Sequence, residues 1–401
     1  MSVDLTQWFA RRTARMTSWT TFSEDPDLIS LAGGLPDTSL FGADNHAALL
    51  TAMAHRQSAL ALQYTPTRGM KALRECILEV MAAEATPVDP HRVIVTTGGQ
   101  QALDLLCRVF LDPGDVVVTE APTYPGMLLP LAAHEADVVQ IATDDHGMRM
   151  DVLETALEEL RAAGRPVKFI YCVPTFQNPS GKTLSLERRH RLLAIARTFD
   201  LPVIEDNPYA LLRFEGDPLP TLLSLDEDGR VLYVGTFSKI LAPGLRVGWL
   251  VAPESVLDKV DLGKQCADLC TASASQLFIA EFFERGDWRA YVDAQVALYR
   301  DRRDAMLALL PETLPAGSTW TRPNGGLFVW VDLPEGMDSD LLYEYALRRS
   351  VSIVPGRVGF ARPKPVHHDF RLNFSACDEG RIATGLERMA LAIRDIEHQG
   401  V

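Results

Sequence analysis

From about residue 70 to residue 285 two kinds of segment alternate, and no other feature of the chain constrains its fold as much. A helix-patterned stretch at 71–83 leads to an apolar run at 92–96, and one at 101–110 leads to 115–119. A strand-like run follows at 136–141, then a helix at 150–162 and a strand at 167–173. A helix at 185–198 leads to 202–205, and later strand-like runs lie at 231–234 and 247–251. Apolar strands separated by amphipathic helices predict the α/β class: a mainly parallel sheet with helices on both faces. Ligands of such sheets bind beyond the carboxyl ends of the strands. Polar residues at those ends are therefore the ones to weigh.

After about Asp287 the pattern changes. A helix at 288–310, strands at 326–331, near 351–354 and at 370–374, and helices at 339–349 and 379–397 describe a smaller α+β domain. The first 45 or so residues join it, which leaves 46–286 as the large domain and 287–401 as the small one. At 401 residues and 47% apolar content, the chain has material for two cores. Its net charge of −14 argues against nucleic acid as a partner, because phosphate backbones demand a basic surface. No apolar run approaches the roughly 20 residues that cross a bilayer. The opening MSVDLTQWFARRTARM has no apolar signal segment, so a cytoplasmic location is expected. The six cysteines are scattered without a CxxC pair and read as buried free thiols, although Cys266 and Cys270 have the spacing to share a helix face. His367 and His368 read as an exposed loop pair, and no metal site is expected.

The stretch "YVGTFSKILAPGLRVGW", residues 233–249, sets one lysine and one arginine in a loop between two buried runs. A lysine held in a desolvated cleft has a lowered pKa and becomes a usable nucleophile. Three other strand ends carry polar residues: Asp206 after 202–205, the turn Pro174–Gly181 after 167–173, and Gly98-Gly99-Gln100 after 92–96. Glycines at a helix start let a backbone approach an anion that the free N–H groups and the helix dipole favour. Alone, such a Gly-Gly is often only a turn, a strand-end Asp often only caps a loop, and a single lysine is usually a solvated surface group. Together they supply a phosphate cradle, an acid for a pyridine nitrogen and an amine for an aldehyde, which is the set that pyridoxal 5′-phosphate requires.

On these residues the chain resembles the fold-type I pyridoxal-phosphate-dependent aminotransferases of the aspartate aminotransferase superfamily, nearest the group with 2-aminoadipate and kynurenine aminotransferases. The matching pieces are "ISLAGGLP", "LQYTPTRGMKALR", "VIVTTGGQQALDLLCRVFLDPGD", "EAPTYPG", "YCVPTFQNPSG", "VIEDNPY", "GTFSKILAPGLRVGW", "RPNGGLFVW" and "FRLNFS", in family order. The resemblance implies an α/β large domain that binds the cofactor and a smaller α+β domain. It implies ping-pong transfer of an amino group from an L-α-amino acid to a 2-oxo acid, 2-oxoglutarate foremost. The same residues also suit a lyase, cyclase or oxidase of specialised amino-acid metabolism, because deprotonation at Cα is common to all of them.

Residue by residue, the resemblance makes Lys239 the Schiff-base lysine and proton carrier, and Asp206 the partner of the ring nitrogen. Asn178 and Tyr209 would donate to the ring oxygen, and Tyr124 would lie against the ring face. The phosphate would be held by Gly99, Gln100, Thr236, Ser238 and Arg246, and by Tyr64 of the neighbouring subunit, so a homodimer is expected. Arg371 would clamp the substrate α-carboxylate, with Asn178 beside it and Gly34 passing close. Two departures stand out. Gly99 takes the place of a frequent serine or alanine, which removes one side-chain contact to the phosphate. In the relatives the N-terminal segment lies over the substrate. Here the place where an arginine can meet a distal carboxylate falls at Met16-Thr17-Ser18, with Arg15 off register and Trp19 and Phe22 adding bulk.

Overall fold

The computed structural model of the chain describes residues 3–16, 25–37 and 39–398. Its largest sheet has eight strands, in the order Val93–Thr96, Gly248–Val251, Val231–Thr236, Val203–Asp206, Val167–Cys172, Val116–Ala121, Asp137–Asp144 and Gly147–Met148. From Val231–Thr236 to Asp137–Asp144 the neighbours are all parallel. Gly248–Val251 runs antiparallel to both of its neighbours, and Gly147–Met148 closes the far edge antiparallel. The expected α/β class, with a mainly parallel sheet, is the one observed.

The strands read as unbroken apolar runs because both faces of the sheet are covered, and successive residues enter different cores. Ile94, Phe169, Tyr171, Ile204 and Leu232 belong to one core, and Val93, Ile170, Cys172, Val203 and Tyr233 to the other. The first core continues without a break into Phe328, Val329, Phe370 and Leu372 of the second unit. That unit is built on a four-stranded antiparallel sheet: Thr319–Trp320, Phe328–Asp332, Asp369–Asn373 and Val354–Pro355. The 26-residue helix Trp288–Thr313 serves both cores, with Trp288 and Val292 in one and Tyr299, Met306 and Leu310 in the other.

The run at 351–354 is two strands rather than one. Val351–Ser352 pairs in parallel with Ile29–Ser30, whereas Val354–Pro355 joins the four-stranded sheet. This pairing fastens the N-terminal segment to the second unit. An Arg302–Asp37 ion pair at 2.6 Å and a bond from the Asn373 N–H to the Leu31 carbonyl at 2.8 Å do the same. Residues 17–24, which include Trp19 and Phe22, lie outside the described residues, and Arg15 ends an exposed short helix, Arg11–Arg15.

Among the described residues five α-helices escaped the pattern: Ala43–Ala61, Pro125–Ala133, the single turn Leu222–Leu225, Glu254–Ala267 and Ser273–Arg285. Pro125 opens its helix at the one position where a missing N–H costs nothing, so a prolyl stretch that reads as a turn is helical. Four cysteines are buried, but Cys266 is exposed, and Cys270 lies beyond the helix end at Ala267, so the two do not share a helix face. His367 is not exposed: it is 3% accessible, and its Nε2 accepts the Lys364 N–H at 2.9 Å. Among the described residues no helix is long and apolar enough to cross a membrane.

Candidate active site

The parallel strands deliver Asp206, at the end of Val203–Asp206, and Thr236, at the end of Val231–Thr236, to one edge of the sheet. Arg246 reaches that edge because the next strand is reversed. Thr236 pairs with Gly248, so a residue two positions before Gly248 comes back beside the end of its neighbour. The reversal answers why a lysine and an arginine share one short loop. The Ser238 N–H donates to Thr236 Oγ1 at 3.1 Å, and Thr236 Oγ1 donates to Ser238 Oγ at 2.9 Å.

Gly98 precedes the helix Gly99–Phe110 in the left-handed region at φ +78°, where a side chain is strained. A Cβ there would sit 2.7 Å from an Arg246 nitrogen, so the guanidinium lies directly over the glycine. A Cβ on Gly248 would meet Gly98 and Gly99 backbone atoms at 2.7 Å, which brings this strand against the helix start. The first N–H groups of the helix have no partner within it. With Arg246, Thr236 and Ser238 they make a donor-rich concavity suited to a phosphate. At Gly99 itself a Cβ would find only ordinary contacts, 3.6 Å from Val234, so space does not demand glycine there.

Asp206 is 7% exposed and accepts the Tyr171 hydroxyl at 2.7 Å. Burial pushes its carboxyl up to about 6, against the opposing pull of Tyr171 and Lys239. Lys239 Nζ donates to the Gly34 carbonyl at 2.7 Å. Burial, then the positive Arg371 and Arg246, bring its amine down to about 8. Tyr171 was not among the candidates. It sits inside an apolar strand, but it pairs with Ile204 and so shares the face of Asp206 one strand away, which is the signal that could have found it.

Arg371, from Asp369–Asn373, is 2% exposed. One terminal nitrogen donates to Asn178 Oδ1 at 2.7 Å, another to the Ala32 carbonyl, and the guanidinium lies 4.3 Å from the Phe328 ring centre. Its Nε is buried without a partner, and among the described residues it forms no ion pair. A buried cation without a counter-ion is costly, and burial lowers its pKa to about 10. Gly34 is close by: a Cβ on it would meet the Phe328 ring at 2.7 Å.

Asn178 is presented by a turn braced from below. Glu120 Oε2 accepts the Val173 N–H at 3.0 Å, and Gln177 Nε2 donates to the Pro122 carbonyl at 2.7 Å. The Tyr209 side chain bonds to that of Asn178, and burial raises its pKa, so it stays a protonated donor. Tyr124 leads into Pro125–Ala133 with its hydroxyl 3.4 Å from Gln100 Oε1, and burial raises its pKa to about 12. Tyr64 does not join this group. It is 75% exposed on the chain surface.

The sequence family described as "Aminotransferase class I and II" matches residues 27–389. Aromatic-amino-acid aminotransferase 1 of Thermococcus litoralis is 43% identical over 373 residues, 93% of this chain and 89% of that protein. The crystal structure of Pyrococcus horikoshii kynurenine aminotransferase, in complex with PMP, matches with a TM-score of 0.91 and 40% identity over 98% of each chain. That of the alpha-aminoadipate aminotransferase of Thermus thermophilus, complexed with N-(5′-phosphopyridoxyl)-L-leucine, matches with a TM-score of 0.92 and 34% identity, covering 99% of this chain and 100% of the other. The chain therefore belongs to the class I and II aminotransferase family, and it is a transaminase that works with pyridoxal 5′-phosphate.

Proposed function

We propose that Lys239, Asp206, Asn178, Tyr209 and Arg371 form the reacting centre of this aminotransferase, and that 2-oxoglutarate is its amino acceptor. The observation that carries the reading is a half-buried amine close enough to a buried carboxylate and a buried guanidinium for both to shift its ionisation, the guanidinium forming no ion pair among the described residues. When bound, pyridoxal 5′-phosphate supplies an aldehyde for the substrate amine and a ring that takes up electrons when the Cα–H bond breaks. Gly99, Gln100, Thr236, Ser238 and Arg246 would hold its phosphate, and Tyr124 would pack on its ring.

The amine of Lys239, brought down to about 8, is partly neutral near neutral pH. It would tether the aldehyde, and once displaced by the substrate amine it would move the proton from Cα to the cofactor's C4′ and, in the second half-reaction, back. Asp206, largely ionised above about 6, keeps a proton on the ring nitrogen. Because the Asn178 carbonyl oxygen accepts from Arg371, its amide nitrogen is left to donate to the ring oxygen beside the Tyr209 hydroxyl. Arg371 supplies the positive charge that a substrate α-carboxylate neutralises. Tyr64, exposed on this chain, would reach the phosphate held by a second copy, which makes a homodimer the working unit of this reading.

A half-reaction screen tests this reading. Glutamate, aromatic amino acids, 2-aminoadipate and kynurenine are each added to the loaded enzyme, and the cofactor absorbance is followed. Conversion to the pyridoxamine form is expected with glutamate and with at least one of the others. Lys239→Ala should fold normally yet lose turnover and the lysine-linked absorbance. Full activity in that variant would remove Lys239 from the centre.

A further inference from the structure

Behind the cradle lies a cation for which the proposed chemistry has no use. Lys264, in the helix Glu254–Ala267, is fully buried. Its Nζ donates to Asp268 Oδ1 at 2.9 Å, Asp268 Oδ2 at 3.0 Å and Gln101 Oε1 at 2.8 Å. Asp268 Oδ2 also accepts from Thr97 Oγ1 at 2.5 Å and from Gln101 Nε2 at 2.7 Å. The Thr97 N–H donates to Gln101 Oε1 at 2.8 Å. Both donors of Thr97, the residue just before Gly98, thus end on this cluster. From Thr97 the network runs to Thr271 Oγ1 at 3.2 Å. The Thr271 carbonyl accepts from Gln276, which also donates to Thr65 at 3.1 Å and accepts the Met70 N–H at 2.8 Å.

A long apolar side chain would fill the place of Lys264 without desolvating an ammonium. Buried ion pairs replaced by apolar groups often leave stability unchanged or raised, and here the lysine alone is buried, with Asp268 exposed, so the ammonium bears the desolvation cost. Stability is therefore a poor reason for this pair. Its geometry supplies a better one: Thr97 and Gln101 flank Gly98-Gly99-Gln100 on either side, and the pair holds both.

We propose that Lys264 and Asp268 are positioning residues for the anion cradle, clamping Thr97 and Gln101 so that the N–H groups of Gly99 and Gln100 stay aimed at a phosphate. The inference rests on the reading that this cradle binds the cofactor phosphate. The network also joins the cradle to Thr65, next to the exposed Tyr64, so the two elements that meet a phosphate are braced by one cluster.

Cofactor-free protein is titrated with pyridoxal 5′-phosphate, and separately with inorganic phosphate. The set comprises wild type, Lys264→Met, the double variant Lys264→Met/Asp268→Asn, Arg246→Ala and Lys259→Met. Losing a clamp built from charge-assisted hydrogen bonds should raise the Kd of both ligands about tenfold in the two Lys264 variants. The melting temperature of the double variant should hold or rise. Lys259→Met removes the same charge from an exposed position of the same helix and should leave both Kd values unchanged. Wild-type affinity in the folded double variant, with Arg246→Ala weakened, overturns the inference and leaves the cradle reading standing. Wild-type affinity in Arg246→Ala overturns the cradle reading and this inference with it. An equal loss in Lys259→Met reduces Lys264 to a distant charge and also overturns it. If Lys264→Met does not fold, Thr97→Val, which cuts the hydroxyl bonds to Asp268 and Thr271 and keeps the N–H bond to Gln101, carries the same expectation.

Discussion

Replacing Asp206 by asparagine should stabilise the cofactor-free protein while crippling the enzyme. At 7% exposure the carboxylate is charged at neutral pH in a place that disfavours charge, and its carboxyl is pushed from the usual 3.8 to about 6. Each pKa unit is worth about 1.4 kcal/mol, so the ionised group costs the fold about 3 kcal/mol at pH 7. For a folded pKa raised above the unfolded one, the sign is definite. The folded state binds more protons between pH 3.8 and about 6, so stability falls as pH rises through that window. Asparagine keeps an oxygen for the Tyr171 hydroxyl and removes the charge. At pH 7 the variant should melt about 3–4 °C higher, given the entropy of unfolding expected for a chain of this length. The gain should shrink toward pH 4, where the wild-type carboxyl is itself protonated. Cofactor should invert the order, because asparagine cannot hold a proton on the ring nitrogen. The assay is calorimetry of both proteins from pH 4 to pH 8, with and without cofactor. A cofactor-free variant no more stable than wild type at pH 7 would show that Asp206 is adequately solvated, and the account of its environment would fail.

Arg371→Ala should raise the KM for amino acids about a hundredfold, the scale of a lost buried charge-assisted clamp, while the Kd of the cofactor changes much less. Equal losses in both would place Arg371 in cofactor binding, and steady-state kinetics beside a cofactor titration separates the two. Gly98→Ala should weaken cofactor binding at least tenfold, because its Cβ would displace the Arg246 guanidinium from 2.7 Å and strain a φ of +78°. Absorbance titration of the cofactor-free variant reads this directly, and unchanged affinity would count against the cradle.

What the sequence revealed and what it hid divide along physical lines. The parallel sheet was legible because strands covered on both faces must be apolar throughout, and few other segments are. Asp206, Lys239 and Arg246 were legible as polar interruptions at the ends of such runs. Tyr171 was hidden because its ring packs like any apolar strand residue and only its hydroxyl matters. Lys264 was hidden because its helix itself escaped the pattern, and nothing local says that its stem points inward. The Pro125–Ala133 helix was hidden by prolines that usually mark turns. The split of 351–354 between two sheets depends on the distant partners Ile29–Ser30 and Asp369–Asn373, to which a local pattern is blind.

The helix Trp288–Thr313 has a mechanical consequence. Between Val292 and Tyr299, where it passes from one core to the other, it contains neither glycine nor proline, so it behaves as a rod and not as a joint. Near its start the Tyr291 hydroxyl donates to the Leu241 carbonyl, two residues from the lysine, at 3.3 Å. Two turns further on, the Tyr299 hydroxyl accepts the Asp37 N–H at 2.8 Å. A tilt of the smaller unit would thereby be levered onto the loop that carries Lys239, as by a shaft.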